Sequence, residues 1–357
     1  MKPFIYDLDF VKRQSKKELF NVVSLFAGGG GSSTGYRLAG GKVLGINEFI
    51  PAAQEAYAKN YPETHIFKQD VRKLTGKIIL ETLGLEKGQL DILDGSPPCS
   101  SFSLAGLREK GWGKKKKYSD SSQVTDDLFF EYARIIKEVQ PKVFIAENVK
   151  GITMGAAKNL LGSAQTDMFG AHEDTIYHTL VNAGYKVRFE VIQAKDYNVP
   201  QSRARTIFIG VRNDINKKIT YPSPLGSTVN LKDAFEGLEH TEAELLECNI
   251  DKYAIGKELK KLKQGESSEK YFSLVKQREN RYSDTLTQTA GVISAAGIAH
   301  WDDRKFTVKE ASRIMGFPDD YYLGDNYKNK IERLGRAVAP LMMAAVSKHV
   351  YETILKD

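Results

Sequence analysis

Along this chain, short apolar runs alternate with stretches whose apolar positions recur at helical spacing. The runs fall at 21–26 (NVVSLF), 43–46 (VLGI), 90–93 (LDIL), 142–146 (KVFIA), 187–192 (VRFEVI) and 206–211 (TIFIGV). Between them, Pro51–Asn60, Asp127–Val139 and Asp174–Ala183 read as helices. In the second of these, Leu128, Tyr132, Ile135, Ile136 and Val139 share one face, and Asp126 or Asp127 stands where a cap belongs. The alternation predicts a mainly parallel α/β sheet with helices on both faces. The last two runs, joined without a helix, predict an antiparallel hairpin at the sheet edge, so the sheet is expected to be mixed.

After Arg212 the rhythm lapses. Residues 213–285 carry Pro222, Pro224, Gly226 and a charged stretch at 257–270 (KELKKLKQGESSEK), which predicts a smaller, irregular unit. Helical patterning returns at Phe306–Met315 and at Ala337–Ile354.

Composition narrows the classes. A chain of 357 residues with 41% hydrophobic and 27% charged positions has ample length for a core. No apolar stretch approaches the roughly 20 residues that span a bilayer. The first ten residues lack the apolar core of a secretory signal, so a cytoplasmic protein is expected. Only two cysteines are present, Cys99 and Cys248, both expected as free thiols; with six scattered histidines they give no metal-site spacing, and no metal is expected. A net charge of +7 suits a polyanionic partner. Part of it is the run Lys114, Lys115, Lys116 and Lys117, which by itself also suits a solvated loop.

The first apolar run feeds Phe26-Ala27-Gly28-Gly29-Gly30-Gly31-Ser32-Ser33-Thr34, a strand, glycine turn and helix start that let a ligand lie against bare backbone. A dinucleotide fingerprint would need a third glycine where Ser33 or Thr34 stands, and no phosphate-loop lysine follows. Glu48 ends the next run, 20 residues after Gly28, where a carboxylate can accept both hydroxyls of a ribose; Asp70 ends 65–70 and is within reach of an adenine amino group. Each acid alone also fits a helix cap. Together they suit an adenosine cofactor without a pyrophosphate. Cys99 follows the LDIL run in Gly95-Ser96-Pro97-Pro98-Cys99-Ser100-Ser101-Phe102-Ser103, a strand end at which two prolines hold the backbone extended. A buried structural thiol and a rigidly placed nucleophile both fit.

This nonapeptide resembles the nucleophile block of the DNA (cytosine-5)-methyltransferases. Phe26–Gly31 resembles their block for S-adenosylmethionine (SAM), Glu147-Asn148-Val149 their acid block, Gln201-Ser202-Arg203-Ala204-Arg205 their Gln-x-Arg-x-Arg block, and Gly335–Pro340 their C-terminal block. The resemblance covers 21–212 and about 281–355. It implies a Rossmann-like SAM-dependent methyltransferase fold with a catalytic domain over 1–212, completed by about 300–357. It further implies a target-recognition domain over 213–299 and a mobile catalytic loop over 100–126. Implied catalytic residues are Cys99, which attacks C6 of a cytosine flipped out of duplex DNA, Glu147, placed near ring N3, and Arg205, which holds O2 and orients Glu147. Arg203 supports the loop or a phosphate. Implied cofactor contacts are Phe26, Gly28, Gly30, Gly31, Glu48, Phe49, Asp70, Pro97 and Leu128, and implied DNA contacts are Ser100, Ser103 and Lys114–Lys117. Arg336 departs from the pattern, standing where the family usually has Asn. A monomer suffices, and a restriction endonuclease reading the same site is a candidate partner. The competing readings are an RNA (tRNA) cytosine-5 methyltransferase and a catalytically inactive DNA-binding relative; a nicotinamide oxidoreductase is the weakest.

Overall fold

The computed structural model describes residues 1–97, 116–118, 121–123, 127–153 and 175–356, with backbone alone at 116–118, 121–123 and 153. A seven-stranded sheet organises the chain. Five parallel strands, β1 (Asn21–Leu25), β2 (Lys42–Asn47), β3 (His65–Phe67), β4 (Ile92–Gly95) and β7 (Val143–Val149), are joined by antiparallel β8 (Tyr185–Gln193) and β9 (Ala204–Arg212). The order is β3-β2-β1-β4-β7-β9-β8, so the expected hairpin closes one edge with β8 outermost. Lys116–Tyr118 (β5) and Ser121–Gln123 (β6) form a separate antiparallel pair.

Because strands alternate their side chains between faces, the apolar runs serve two cores. Val22, Ile92, Val143, Ile145, Ile207 and Ile209 pack on one face with Tyr36 of α2 (Gly31–Leu38) and with Met342, Met343 and Val346 of the C-terminal α12 (Pro340–Val350). Val23, Leu25, Leu93, Phe144, Ala146 and Phe208 pack on the other with Ile79 of α4 (Gly76–Leu83) and with Tyr132, Ile135, Ile136 and Val139 of α5 (Leu128–Val139). The apolar face expected of 127–139 is thus the buried one. Capping differs from expectation: Asp127 makes no cap bond, and its carboxylate instead takes the Arg72 guanidinium at 2.5 Å.

Other elements are α1 (Leu8–Ser15), α3 (Pro51–Asn60) and α6 (Ile176–Asn182). The chain beyond β9 holds the short helices α7 (Leu231–Ala234), α8 (Glu242–Glu247) and α9 (Ala254–Leu259), the two-residue strands β10 (Val275–Lys276) and β11 (Ile298–Ala299), and a small cluster of Ile250, Ile255, Leu259, Leu274 and Ala299. Cys248 is a buried free thiol whose pKa burial pushes up to about 12. Two further helices, α10 (Val308–Ile314), opened by a Thr307–Glu310 capping box, and α11 (Tyr327–Arg336), precede α12. The helix expected from Ala337 begins only at Pro340, since a proline with its fixed φ and no N–H suits the first helical position. It packs on α2, where Gly35 lets the Pro340 carbonyl and Met343 come close.

Gly210 of β9 faces the Phe144 ring of β7 so closely that an added Cβ would overlap it. Gly210→Ala should therefore destabilise the fold by about 1–3 kcal/mol in urea denaturation. Phe144→Leu in the same chain should recover part of that loss.

Candidate active site

Strand β1 is flanked by β2 on one side and β4 on the other, and the chain runs outward in both directions from this point. Open α/β sheets place their ligands outside the carboxyl ends of such neighbouring strands. Here that crevice lies between the glycine turn leaving β1 and Ser96-Pro97 leaving β4.

The turn is left-handed at Phe26 (φ 57°), Gly28 (φ 53°) and Gly30 (φ 79°). Its glycines divide the work. A Cβ at Gly31 would meet the Val338 carbonyl, one at Gly30 the Tyr321 hydroxyl, and one at Gly29 would lie 2.7 Å from Arg333 Cγ, so these three admit the C-terminal segment. At Gly28 a Cβ would come no closer than 3.9 Å to its nearest neighbour, the Phe26 carbonyl. Gly28 and the first N–H groups of α2, which Gly30 leaves without a side-chain cap, therefore form a bare backbone cradle.

Glu48, at the exit of β2, is buried and accepts N–H bonds from Gly28 and Ile50, both at 2.7 Å. Burial raises its pKa above the usual carboxylate range. With roughly four lone-pair sites and two bonds, the carboxylate retains acceptor capacity. Phe49 beside it is 40% exposed, unusual for a ring next to a buried acid. Asp70 caps the turn Val71–Lys73 through the Arg72 N–H (2.9 Å) and also holds the Arg72 guanidinium. Leu128 is buried at the start of α5. Glycine cradle, carboxylate and exposed ring fit an adenosine-bearing cofactor with no pyrophosphate.

On the other side of β1, the ends of β4, β7 and β9 converge. Gly95 pairs with Ala146, and the Asn148 amide donates to the Pro97 carbonyl at 3.3 Å. Pairing of Glu147 with Ile207 and Val149 with Arg205 makes Glu147 and Arg205 diagonal neighbours on the α2 face. Arg205 Nε meets Glu147 Oε1 at 2.6 Å, with both side chains 11% exposed. Burial lowers the Arg205 pKa, and the adjacent carboxylate opposes that shift. Arg203 points elsewhere. It is fully buried, and its guanidinium donates to the carbonyls of Leu286 (3.1 Å), Gly335 (3.0 Å) and Ala337 (2.9 Å). Cys99, Ser100, Ser103, Lys114 and Lys115 lie outside the described residues, as does most of 100–126, while Lys116 and Lys117 fall on the β5 backbone.

The structure adds residues that spacing did not single out. Arg333 of α11 bonds the Leu323 carbonyl and, at 3.0 Å, the Ala52 carbonyl, spanning from the C-terminal region to α3 while packing on Gly29. Tyr321 donates to the Gly29 carbonyl at 2.9 Å. These groups come from more than 270 residues away along the chain, so no local pattern announces them. Arg336 closes α11 in an ion pair with Glu332 at 2.9 Å. Among the described residues no cluster of His, Cys, Asp and Glu is arranged to hold a metal, and no helix is long and apolar enough to cross a membrane.

Comparison with known proteins agrees with this geometry. The family model for C-5 cytosine-specific DNA methylase matches residues 20–352. The chain is 31% identical to the type II methyltransferase M.Eco47II of Escherichia coli, covering 95% of this chain and 80% of that protein. It is 30% identical to the type II methyltransferase M.FnuDI of Fusobacterium nucleatum, covering 93% and 94%. Among solved structures it resembles a protein described as a DNA modification methyltransferase encoded within an E. coli prophage. That match has a TM-score of 0.71 and 22% identity, covering 95% of this chain and 100% of the other. With strand-end acids, a glycine cradle and a family match over nearly its full length, the chain belongs to the C-5 cytosine-specific DNA methylases.

Proposed function

We propose that this enzyme transfers a methyl group from S-adenosylmethionine to C5 of a cytosine turned out of duplex DNA, through a transient bond from Cys99 Sγ to C6. The observation that carries the reading is the largely buried Glu147–Arg205 pair at the end of β7, beside the strand end that leads to Cys99. The related type II methyltransferases support DNA as the substrate.

C5 of cytosine is too weak a nucleophile to take a methyl group unaided. Addition of the Cys99 thiolate at C6 breaks the ring's aromaticity and leaves its electron pair available at C5, dividing one hard step into easier ones. Glu147, held by Arg205, shares a proton at N3 as that charge develops, and Arg205 also reaches O2. Bound at the Gly28 cradle, with Glu48 on its ribose and Phe26, Phe49, Pro97 and Leu128 around it, SAM supplies an electrophilic methyl group. C5 takes the methyl as its bond to the sulfonium sulfur breaks to leave a neutral thioether; water then removes the C5 proton, the N3 proton returns to Glu147, and the returning electron pair expels the Cys99 thiolate. Asp70, engaged with Arg72, offers its remaining acceptor capacity to the adenine amino group.

A base inside a duplex hides its faces, so turning it out costs on the order of a few kcal/mol. We assign Ser100, Ser103 and Lys114–Lys117 of the 100–126 segment to the DNA around the vacated position, which makes binding salt-sensitive. Residues 213–299 read base edges in the major groove. One chain supplies every group named, so a monomer suffices. The type II names of the relatives support a restriction endonuclease as a functional partner. In this reading Arg203 is a clamp between β9 and the C-terminal return rather than a substrate contact.

Cys99→Ser should abolish methyl transfer, and the wild-type chain should form a covalent adduct with 5-fluorocytosine duplex; bisulfite sequencing of DNA from expressing cells reads both activity and target. Retained methylation in the variant would refute the nucleophile, and transfer to tRNA in preference to duplex DNA would refute the substrate. Glu147→Gln should lower kcat about 10²–10⁴-fold with little change in SAM affinity. Arg203→Met, which leaves three carbonyls without a donor, should cost about 3 kcal/mol or more in denaturant unfolding. Its activity per folded molecule at low temperature should fall far less than that of Glu147→Gln.

A further inference from the structure

Asp94 is a carboxylate in an otherwise apolar strand, on the β4 face that packs against α2. It is 1% exposed and five residues before Cys99. Three hydroxyls converge on it: Ser24 of β1 at 2.5 Å and Ser32 of α2 at 2.8 Å on Oδ2, and Tyr36 of α2 at 3.1 Å on Oδ1. Ser24 is also its register partner across the β1–β4 pair. One carboxylate therefore joins the strand that runs toward Cys99 to both sides of the glycine turn.

Resting on the function proposed above, we infer that Asp94 is a positioning residue for the cofactor cradle: its ionised carboxylate fixes the first turn of α2 against the ends of β1 and β4. The charge is not there for stability. Burial lifts the Asp94 pKa from 3.8 to about 6. A folded-state pKa above the ordinary value means that the fold prefers the neutral acid, and that ionisation erodes stability as pH rises through about 6. A neutral isostere in this slot is then no less stable at pH 7.5 than the carboxylate. What the carboxylate alone supplies is an acceptor-only group that forces all three hydroxyls to donate toward it. The charged and titratable groups nearest it are Tyr36 of α2 and Glu147 of β7, the latter backed by Arg205, with Tyr132 of α5 approaching from the opposite face of the sheet. Glu48, also buried with a raised pKa, borders the same cradle from β2 and is the competing source of any acid dependence.

The test is calorimetric titration of SAM into the full chain from pH 5 to 8.5, without DNA, beside melting temperatures at each pH. With a pKa of about 6 and a neutral form that binds about tenfold more weakly, wild-type Kd should weaken about fivefold between pH 7.5 and pH 5. Asp94→Asn should bind about tenfold more weakly at pH 7.5, lose that acid limb, and melt no lower than wild type at pH 7.5. Ser32→Ala, which removes one bond favouring the charged form, should move the limb's midpoint to higher pH. The assignment is overturned if Asp94→Asn keeps wild-type affinity, keeps the limb, as Glu48 control requires, or loses melting temperature in step with affinity. Should that variant not fold, an unmoved midpoint in Ser32→Ala overturns it instead. Absence of SAM binding by the wild type at every pH would fell the proposed function itself, an outcome distinct from all of these.

Discussion

The candidate site depends on a single buried cation. Arg203 leaves the start of β9 and, with no carboxylate within its bonds, spends its guanidinium on three backbone carbonyls, two of them at the end of α11. Burial drives its pKa well below the ordinary arginine value, a measure of how costly the placement is. The return is geometric. The end of α11 is also where Arg333 and Val338 press on the glycine turn, so the start of β9, which carries Arg205, and the glycine turn are both referenced to this one segment. An ammonium has three donors on one nitrogen, whereas the planar guanidinium reaches the Leu286 carbonyl with Nη1 and the Gly335 and Ala337 carbonyls with Nη2, bridging two separate segments in a fixed geometry.

The glycines follow from the same constraint. A turn that presents bare backbone to a ligand needs glycine at one or two places, yet four stand in a row. Three of them face protein, giving room to Arg333, Tyr321 and Val338. The C-terminal segment thus forms the outer wall of the cradle, and α12 packing on α2 keeps that wall in place. A sequence separation of about 300 residues is closed by van der Waals contact at positions where any side chain would obstruct it.

This explains what was legible in the sequence. The alternation of runs reported the sheet, its two covered faces and its antiparallel edge, because a strand buried on both sides must be apolar throughout. Acids at the strand ends were legible too, since Glu48 and Glu147 interrupt apolar runs. Hidden from a linear reading were the capping helices α1, α4 and α11, whose short amphipathic stretches are paired only by tertiary contact. Equally hidden was the division of labour between two arginines spaced by one residue. Two arginines at strand spacing would share a face if the strand continued through both, so spacing alone gives no reason to prefer either one for Glu147. The backbone decides: Arg205 is within the ladder, diagonal to Glu147, whereas Arg203 lies before it, where the chain turns toward Leu286.

Among the described residues, the buried carboxylates of the central sheet, Glu48, Asp94 and Glu147, stand at or just past strand ends rather than in the strand interiors. Glu147 with Arg205, Asp94 with its three hydroxyls, and Glu48 with its two N–H groups all occupy the carboxyl ends of β7, β4 and β2. Each costs desolvation, and exchanging such groups for packed apolar ones is often neutral or stabilising. A fold selected for stability alone would discard them, because the same strands manage their interiors with Val, Ile and Leu. Their clustering on one rim, two of them at carboxylates whose pKa burial has raised, is the signature of sites shaped by the charge they must meet. Under the proposed function that charge would be of two kinds, a cationic methyl donor over the glycine turn and a cytosine ring that becomes electron-rich at the Glu147 side. An acceptor-rich rim beside β1 and an acid–guanidinium pair beside β7 match them in that order along the sheet.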